Sequence, residues 1–191
     1  MAALSEVLTV PRVELLTAAT APLSTRRYYA GGDPGPIVAA LAQVPEVLEA
    51  ALPFLSVALG PTAISMRHKE IVVLRTSALL ECRYCIDTHS VVALDTPLTR
   101  DEVRTLRGEL AVGWVDPAEG ALLAWVDAVA GAAGPVPDAL GRTLGEYFAD
   151  HEVVELTLLI GAIMMLNRFC TALELPTAAA VVDRLRAEGL S

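Results

Sequence analysis

MRHKEIVVLRTSALLECRYCIDTHS, residues 66 to 90, divides at its middle. Up to Leu80 the apolar residues recur at spacings of three and four, with almost no two-residue alternation, which is the period of a helix. From Glu81 onward the stretch carries chemistry instead: two cysteines three apart and a histidine four further on. If residues 82–94 form a helix that starts at the first cysteine, Cys82, Cys85 and His89 fall at i, i+3 and i+7, on one face. His89 then stands one turn from Cys85, within reach of its sulfur. The free N–H groups and positive dipole at a helix start favour thiolate over thiol. Cysteines so placed have pKa values of about 3.5–7.5 instead of ~8.5. The C-x-x-C spacing also allows the two sulfurs to join with little backbone movement.

Working outward, helical patterning extends over most of the chain. IVAALAQV and PEVLEAALPFLSVAL precede the quoted stretch with the same spacing, and PAEGALLAWVDAVA at 117–130 follows it. Thr99 with Glu102 three residues later reads as a capping box opening another helix. A last long helix begins near Asp150 and runs through VVELTLLIGAIMMLNRFCTALEL. The fold class expected is all-α. Residues 20–36, TAPLSTRRYYAGGDPGP, are loop-like, with Asp33-Pro34-Gly35-Pro36 a strong turn. Residues 1–34 therefore read as an N-terminal extension, partly loop, and 35–191 as one helical domain. A shift of 85 residues lays Glu70 on Glu155, CRYC (82–85) on NRFC (167–170) and Cys85 on Cys170. The echo is either chance or a duplicated helical unit whose second copy has lost one cysteine and the histidine.

The chain has 191 residues, 54% of them hydrophobic and only 19% charged. Its apolar share exceeds the usual ~45–50%, a figure that even counts glycine, so a subunit interface in a homo-oligomer is expected. Uninterrupted apolar runs such as LLIGAIMML at 158–166 fall short of the ~20 residues of a spanning segment. No charged start followed by an apolar stretch suggests a secretory leader. The reading is a cytoplasmic chain with no membrane partner. Net charge is −9 and no Lys/Arg stripe exists to track phosphates, so nucleic acid is a poor partner. Three cysteines do not frame a disulfide-rich secreted module; they point to thiol chemistry or a metal in a reducing compartment.

Zinc would need a fourth ligand, and no second C-x-x-C or H-x-x-x-H supplies one. A c-type haem needs histidine directly after the second cysteine, where Ile86 stands. Two core cysteines beside a surface histidine remain the plain structural alternative. Glu70, twelve residues before Cys82, is by itself an ordinary solvated helix-start residue, although two antiparallel helices could bring it toward His89. Cys170 reads as a small buried residue, and Asn167 and Arg168 as helix caps or bridges. Trp114, Trp125, Met164 and Met165 read as core or subunit interface, and His68 and His151 as surface residues.

Glu70, eleven residues, Cys82-Arg83-Tyr84-Cys85, three residues and His89 together resemble the signature of the AhpD-like alkylhydroperoxidases, in the carboxymuconolactone decarboxylase superfamily. HKEIVVLRTSALLECRYCIDTHS resembles that core throughout, and LTLLIGAIMMLNRFCTAL the family's C-terminal helix, so the similarity spans roughly residues 35 to 180. The resemblance implies an AhpD-like helical fold and an oligomer, a trimer or hexamer, working as a peroxidase without metal, haem or other cofactor. It implies that Cys85 attacks the hydroperoxide, that Cys82 resolves the sulfenic acid to a redox-active disulfide, and that His89 and Glu70 relay the proton. The reductant implied is an external dithiol, typically a lipoyl-bearing protein. Cys82, at the helix start, should be the more exposed sulfur. One departure stands out: some members carry histidine where this chain has Tyr84, whose ordinary pKa near 10 rules out a neutral-pH base. Superfamily members that decarboxylate a lactone lack the cysteine pair, which leaves a lyase as the lesser alternative. A helical oligomer that only senses redox state or holds a metal is the other.

Overall fold

Ser65 starts the helix that organises the molecule: its side chain accepts the backbone N–H of His68 at 3.2 Å, a standard N-cap. The computed structural model describes residues 10–110 and 113–190, and among them there are helices and connecting turns but no strand. In chain order they are α1 (Pro36–Leu41), α2 (Pro45–Leu59), α3 (Met66–Leu79), α4 (Arg83–Leu94), α5 (Arg100–Leu106), α6 (Pro117–Gly131), α7 (Asp138–Gly145), α8 (Asp150–Leu173) and α9 (Ala179–Glu188), after a 3-10 turn at Leu23–Tyr29. The Thr99/Glu102 capping box forms as the pattern predicts. The short α7 and the terminal α9 lie outside the periodic stretches, and α8 is therefore not the last helix.

α3 is the axle. It packs on α4, α6 and α8, and Ile71, Val72, Val73 and Leu74 are all fully buried. A helix apolar on every side must sit at the centre of a bundle, and each such side chain contributes about 1.5–3 kcal/mol on burial. Its charged residues are paired, while the buried Thr76 hydroxyl has no partner. Lys69, fully buried, donates to the carbonyls of Ala58 and Gly60 at 2.9 and 2.6 Å and pairs with Glu155 at 2.9 Å. Those bonds tie α3 to the end of α2 and to α8. Arg75 holds Asp127 of α6 through two bonds of 2.6 and 2.9 Å. Arg67 bridges Glu102 of α5 and Glu119 of α6.

α8 spans 24 residues and is long and apolar enough to cross a membrane by length and composition, although its longest unbroken apolar run is not. Here it lies against α2, α3, α4, α6 and α7, burying Leu156, Leu159, Ile160, Ile163 and Leu166. The sequence echo does not correspond to a repeated shape. α3 and α4 are split by a turn at Leu80–Cys82, whereas α8 runs unbroken through the equivalent positions. The two apolar helices pack together instead of each heading its own helical pair. Residues 10–34 also join the body, with Ala21 and Tyr29 packed against Ala42 and Leu48.

Candidate active site

The turn between α3 and α4 builds the site. Leu80 N–H returns to the Thr76 carbonyl at 3.1 Å and Cys82 N–H to that of Ser77 at 3.0 Å. Glu81 takes a left-handed φ of 54° to reverse the chain. Cys82 thereby becomes the N-cap of α4 and Cys85 sits in its first turn, beside unbonded N–H groups and the positive dipole end.

α8 passes this corner and contributes a third sulfur. The Sγ atoms of Cys82, Cys85 and Cys170 all lie within 4.8 Å of one another, and the residues are 1%, 5% and 1% exposed. They form a soft ligand set one short of the four that zinc takes. Asn167, one turn earlier, donates to Ser77 Oγ at 3.1 Å and so anchors α8 to α3; its amide also reaches the Cys85 thiol. Thr171 reaches Cys82. Ala40, Leu175, Val13, Leu15, Ile37 and Phe169 close over the cluster. Arg12 fastens this N-terminal strap, its N–H on Leu173 O at 2.9 Å and its side chain on Ala172 O and Glu174.

The hydrogen bonds distribute charge unequally among the three sulfurs. Thiol donation from Cys170, then from Cys85, lowers Cys82 to about 3 against the opposing effect of burial. Cys85 is pulled down by Cys170, but the bond to Cys82, burial and the Cys82 charge outweigh this and push it up to about 12. Cys170 is pushed up as well, first by its bond to Cys82 and then by that to Cys85. One thiolate is thus held by two thiols, because each further charge in so small an apolar volume repels the first. Burial likewise pushes Tyr84 up to about 12, so it is no base at neutral pH.

Glu70 and His89 meet across the α3–α4 interface, with His89 Nδ1 and Glu70 Oε2 3.0 Å apart. Glu70 is 2% exposed, not the solvated residue its position at a helix start suggests. Antiparallel packing of the two helices explains this, since position 70 on one comes to face position 89 on the other. With Nδ1 engaged, Nε2 is the nitrogen left for proton transfer.

Three expectations change. His89 bonds Glu70 and neither sulfur among the described residues. Cys82 is no more exposed than Cys85, because α8 and the N-terminal strap cover the start of α4. The hydrogen bonds within the cluster lower the Cys82 thiol and not that of Cys85, although Cys85 is the nearer to His89 in sequence. Cys170 is buried as expected but is a thiol of the cluster and not mere packing. Sequence reasoning undervalued Cys170, Asn167, Thr171 and the strap; the available signals were an asparagine inside an apolar run and the 85-residue echo that laid Cys170 on Cys85. Of the remaining residues, Trp125 is partly buried and donates to Thr157 at 3.1 Å. His68 packs edge-on to Phe148 instead of lying free on the surface, while His151 is exposed.

The carboxymuconolactone decarboxylase family model matches residues 45–128, a span that contains Glu70, Cys82, Cys85 and His89. No curated protein matches the sequence. Among solved structures, an uncharacterised peroxidase-related protein with an alkylhydroperoxidase AhpD core, from Ralstonia eutropha, superposes with a TM-score of 0.74 at 20% identity, over 90% of this chain and 94% of that one. A protein of unknown function from Agrobacterium tumefaciens, provisionally assigned to AhpD antioxidant defence, gives 0.68 at 26% identity, over 73% and 96%. The debrominase Bmp8, solved as a cysteine-to-alanine variant with 2,3,4-tribromopyrrole, gives 0.75 at 19% identity, over 98% and 99%. Residues 45–128 carry the match to the carboxymuconolactone decarboxylase family model, and the chain has the AhpD-like helical fold.

Proposed function

We propose that this protein is a thiol-dependent peroxidase that reduces hydroperoxides with Cys82 and Cys85 and is returned to the dithiol state by an external dithiol, a lipoyl-bearing protein being the expected kind. The observation that carries the reading is a buried cluster of three thiols at the start of α4, with the Glu70–His89 bond joining α3 and α4 beside it. Cys85, the most exposed of the three sulfurs, is the one that meets substrate. Its proton passes along the existing hydrogen bond to Cys82, and the Cys85 thiolate attacks the terminal peroxide oxygen. The O–O bond breaks, the alkoxide leaves as alcohol with a proton delivered through His89, and Cys85 becomes a sulfenic acid. The Cys82 sulfur then attacks that sulfur, water leaves and a disulfide forms. The net change is two thiols and one hydroperoxide to one disulfide, one alcohol and one water.

The Asn167 side-chain oxygen is buried without a partner, an orphan that costs about 1–3 kcal/mol and that a peroxide or sulfenic O–H would satisfy. The same reading takes the protein as a homo-oligomer, a trimer or hexamer, working in a reducing cytoplasm. Purified metal-free protein given cumene hydroperoxide and reduced lipoamide should consume peroxide catalytically, and Cys85→Ser should abolish this. A disulfide that forms without turnover under any dithiol would leave a redox sensor instead. Turnover of a lactone or of tribromopyrrole, with peroxide ignored, would replace the substrate class.

A further inference from the structure

We propose that Cys170 is a third redox thiol of this site, able to form a disulfide with Cys85 or with Cys82. The geometry makes the three sulfurs equivalent in reach. No pair of sulfurs is separated by more than 4.8 Å, so each is a candidate to close to the ~2.05 Å of a disulfide. Cys170 sits in the last turn of α8, whose C-cap Glu174 is left-handed at φ 52°, and the chain turns out of the helix through Leu175 N–H on Cys170 O at 3.0 Å. Asn167, bonded to Ser77, fixes the preceding turn at the level of the cluster.

Burial favours an internal partner. With Val13, Leu15 and Ile37 packed against the cluster, a neighbouring thiol meets a sulfenic acid on Cys85 faster than a reagent from solution does. Two routes balance. In one, Cys85–SOH and Cys170–SH give the Cys85–Cys170 disulfide and water. In the other, the Cys170 sulfur attacks the Cys82–Cys85 disulfide at Cys82, its proton goes to Cys85, and Cys85 leaves as a free thiol. The second outcome, a Cys82–Cys170 disulfide, frees the most exposed sulfur to meet a second hydroperoxide before any reductant arrives. The role in turnover rests on the peroxidase reading above; the capacity to pair does not.

Arg75, Arg83, Arg100, Arg168 and Arg184 place the three cysteines on separate tryptic peptides, residues 76–83, 84–100 and 169–184, so every pairing is distinguishable by mass. Diamide oxidises dithiols without any peroxide chemistry and is the probe. In Cys82→Ser it should remove both remaining thiols and yield the linked peptides 84–100 and 169–184. In the wild type it should give a linked species containing 169–184 beside the pair 76–83 and 84–100. Under cumene hydroperoxide, dimedone should label Cys85 strongly in Cys82→Ser/Cys170→Ser and only weakly in Cys82→Ser. The proposal is overturned if diamide joins Cys82 to Cys85 in the wild type while Cys170 stays fully alkylatable. The wild-type arm decides even if the variants do not fold. Linked peptides under diamide without peroxide consumption would sink the peroxidase reading and leave this one standing.

Discussion

Glu70 and His89 are nineteen residues apart in the chain and 3.0 Å apart in space. A buried carboxylate on Nδ1 fixes the ring and its tautomer, which suits a proton carrier more than a packing residue. General acid–base groups contribute about 10²–10⁴-fold. Glu70→Gln and His89→Gln should each slow peroxide consumption within that range, and the double variant should be little slower than either single one, because both act on one proton path. Unchanged rates in a variant with native circular dichroism would remove that residue from the mechanism. Cys82 shows a different residue-scale lesson. Its lowered pKa comes first from a thiol 88 positions away, so neither the C-x-x-C spacing nor the nearby histidine reveals where the anion rests.

Among the elements, the decisive one is the turn that divides α3 from α4. Glu81 is exposed and holds φ at 54°, a conformation that costs a residue with a Cβ about 1–2 kcal/mol. Glycine relieves most of this cost and loses part of the gain to the freer unfolded chain. Glu81→Gly should raise stability by up to about 1 kcal/mol, and Glu81→Val should lower it by ~1–3 kcal/mol, since a β-branched side chain is the poorest fit to left-handed backbone. Urea midpoints measure both. A destabilised glycine variant would mean that the side chain, and not the backbone, sets the turn. α8 shows the opposite case, an element whose pattern is plain but whose company is not. Its apolar length is readable in sequence, while its placement beside both α3 and α4 is what delivers Asn167, Cys170 and Thr171.

At the scale of the whole molecule, an apolar face lacks cover among the described residues. Val154, Leu158 and Met165 on α8 and Phe54 and Val57 on α2 are 40–68% exposed, and the α8 residues repeat at helical spacing along one side. A chain that is 54% hydrophobic leaves such a face for another copy, which is where the proposed homo-oligomer would join. The wild type should sediment as a trimer or hexamer at micromolar concentration, and Leu158→Glu should shift it to smaller species without loss of helix content. A monomeric wild type would defeat the idea.

The all-helical class, the long central and C-terminal helices, the α5 capping box and the Cys82–Cys85–His89 spacing were legible because each depends on local order: 3.6-residue periodicity, cap chemistry and i, i+3, i+4 neighbours act within a few residues, whereas Glu70 entered only through the family resemblance. The duplicated unit suggested by the echo was not there, because two similar apolar patterns specify two similar helical faces and say nothing of whether a turn divides them. Only the tertiary structure decided that Glu70 is buried against His89, that Cys170 completes a three-sulfur cluster, that the N-terminal strap roofs it and that thiol donors lower Cys82. Each of these comes from groups distant in sequence meeting in an apolar interior, where burial and hydrogen-bond partners set charge and access, and no stretch of the chain carries that information alone.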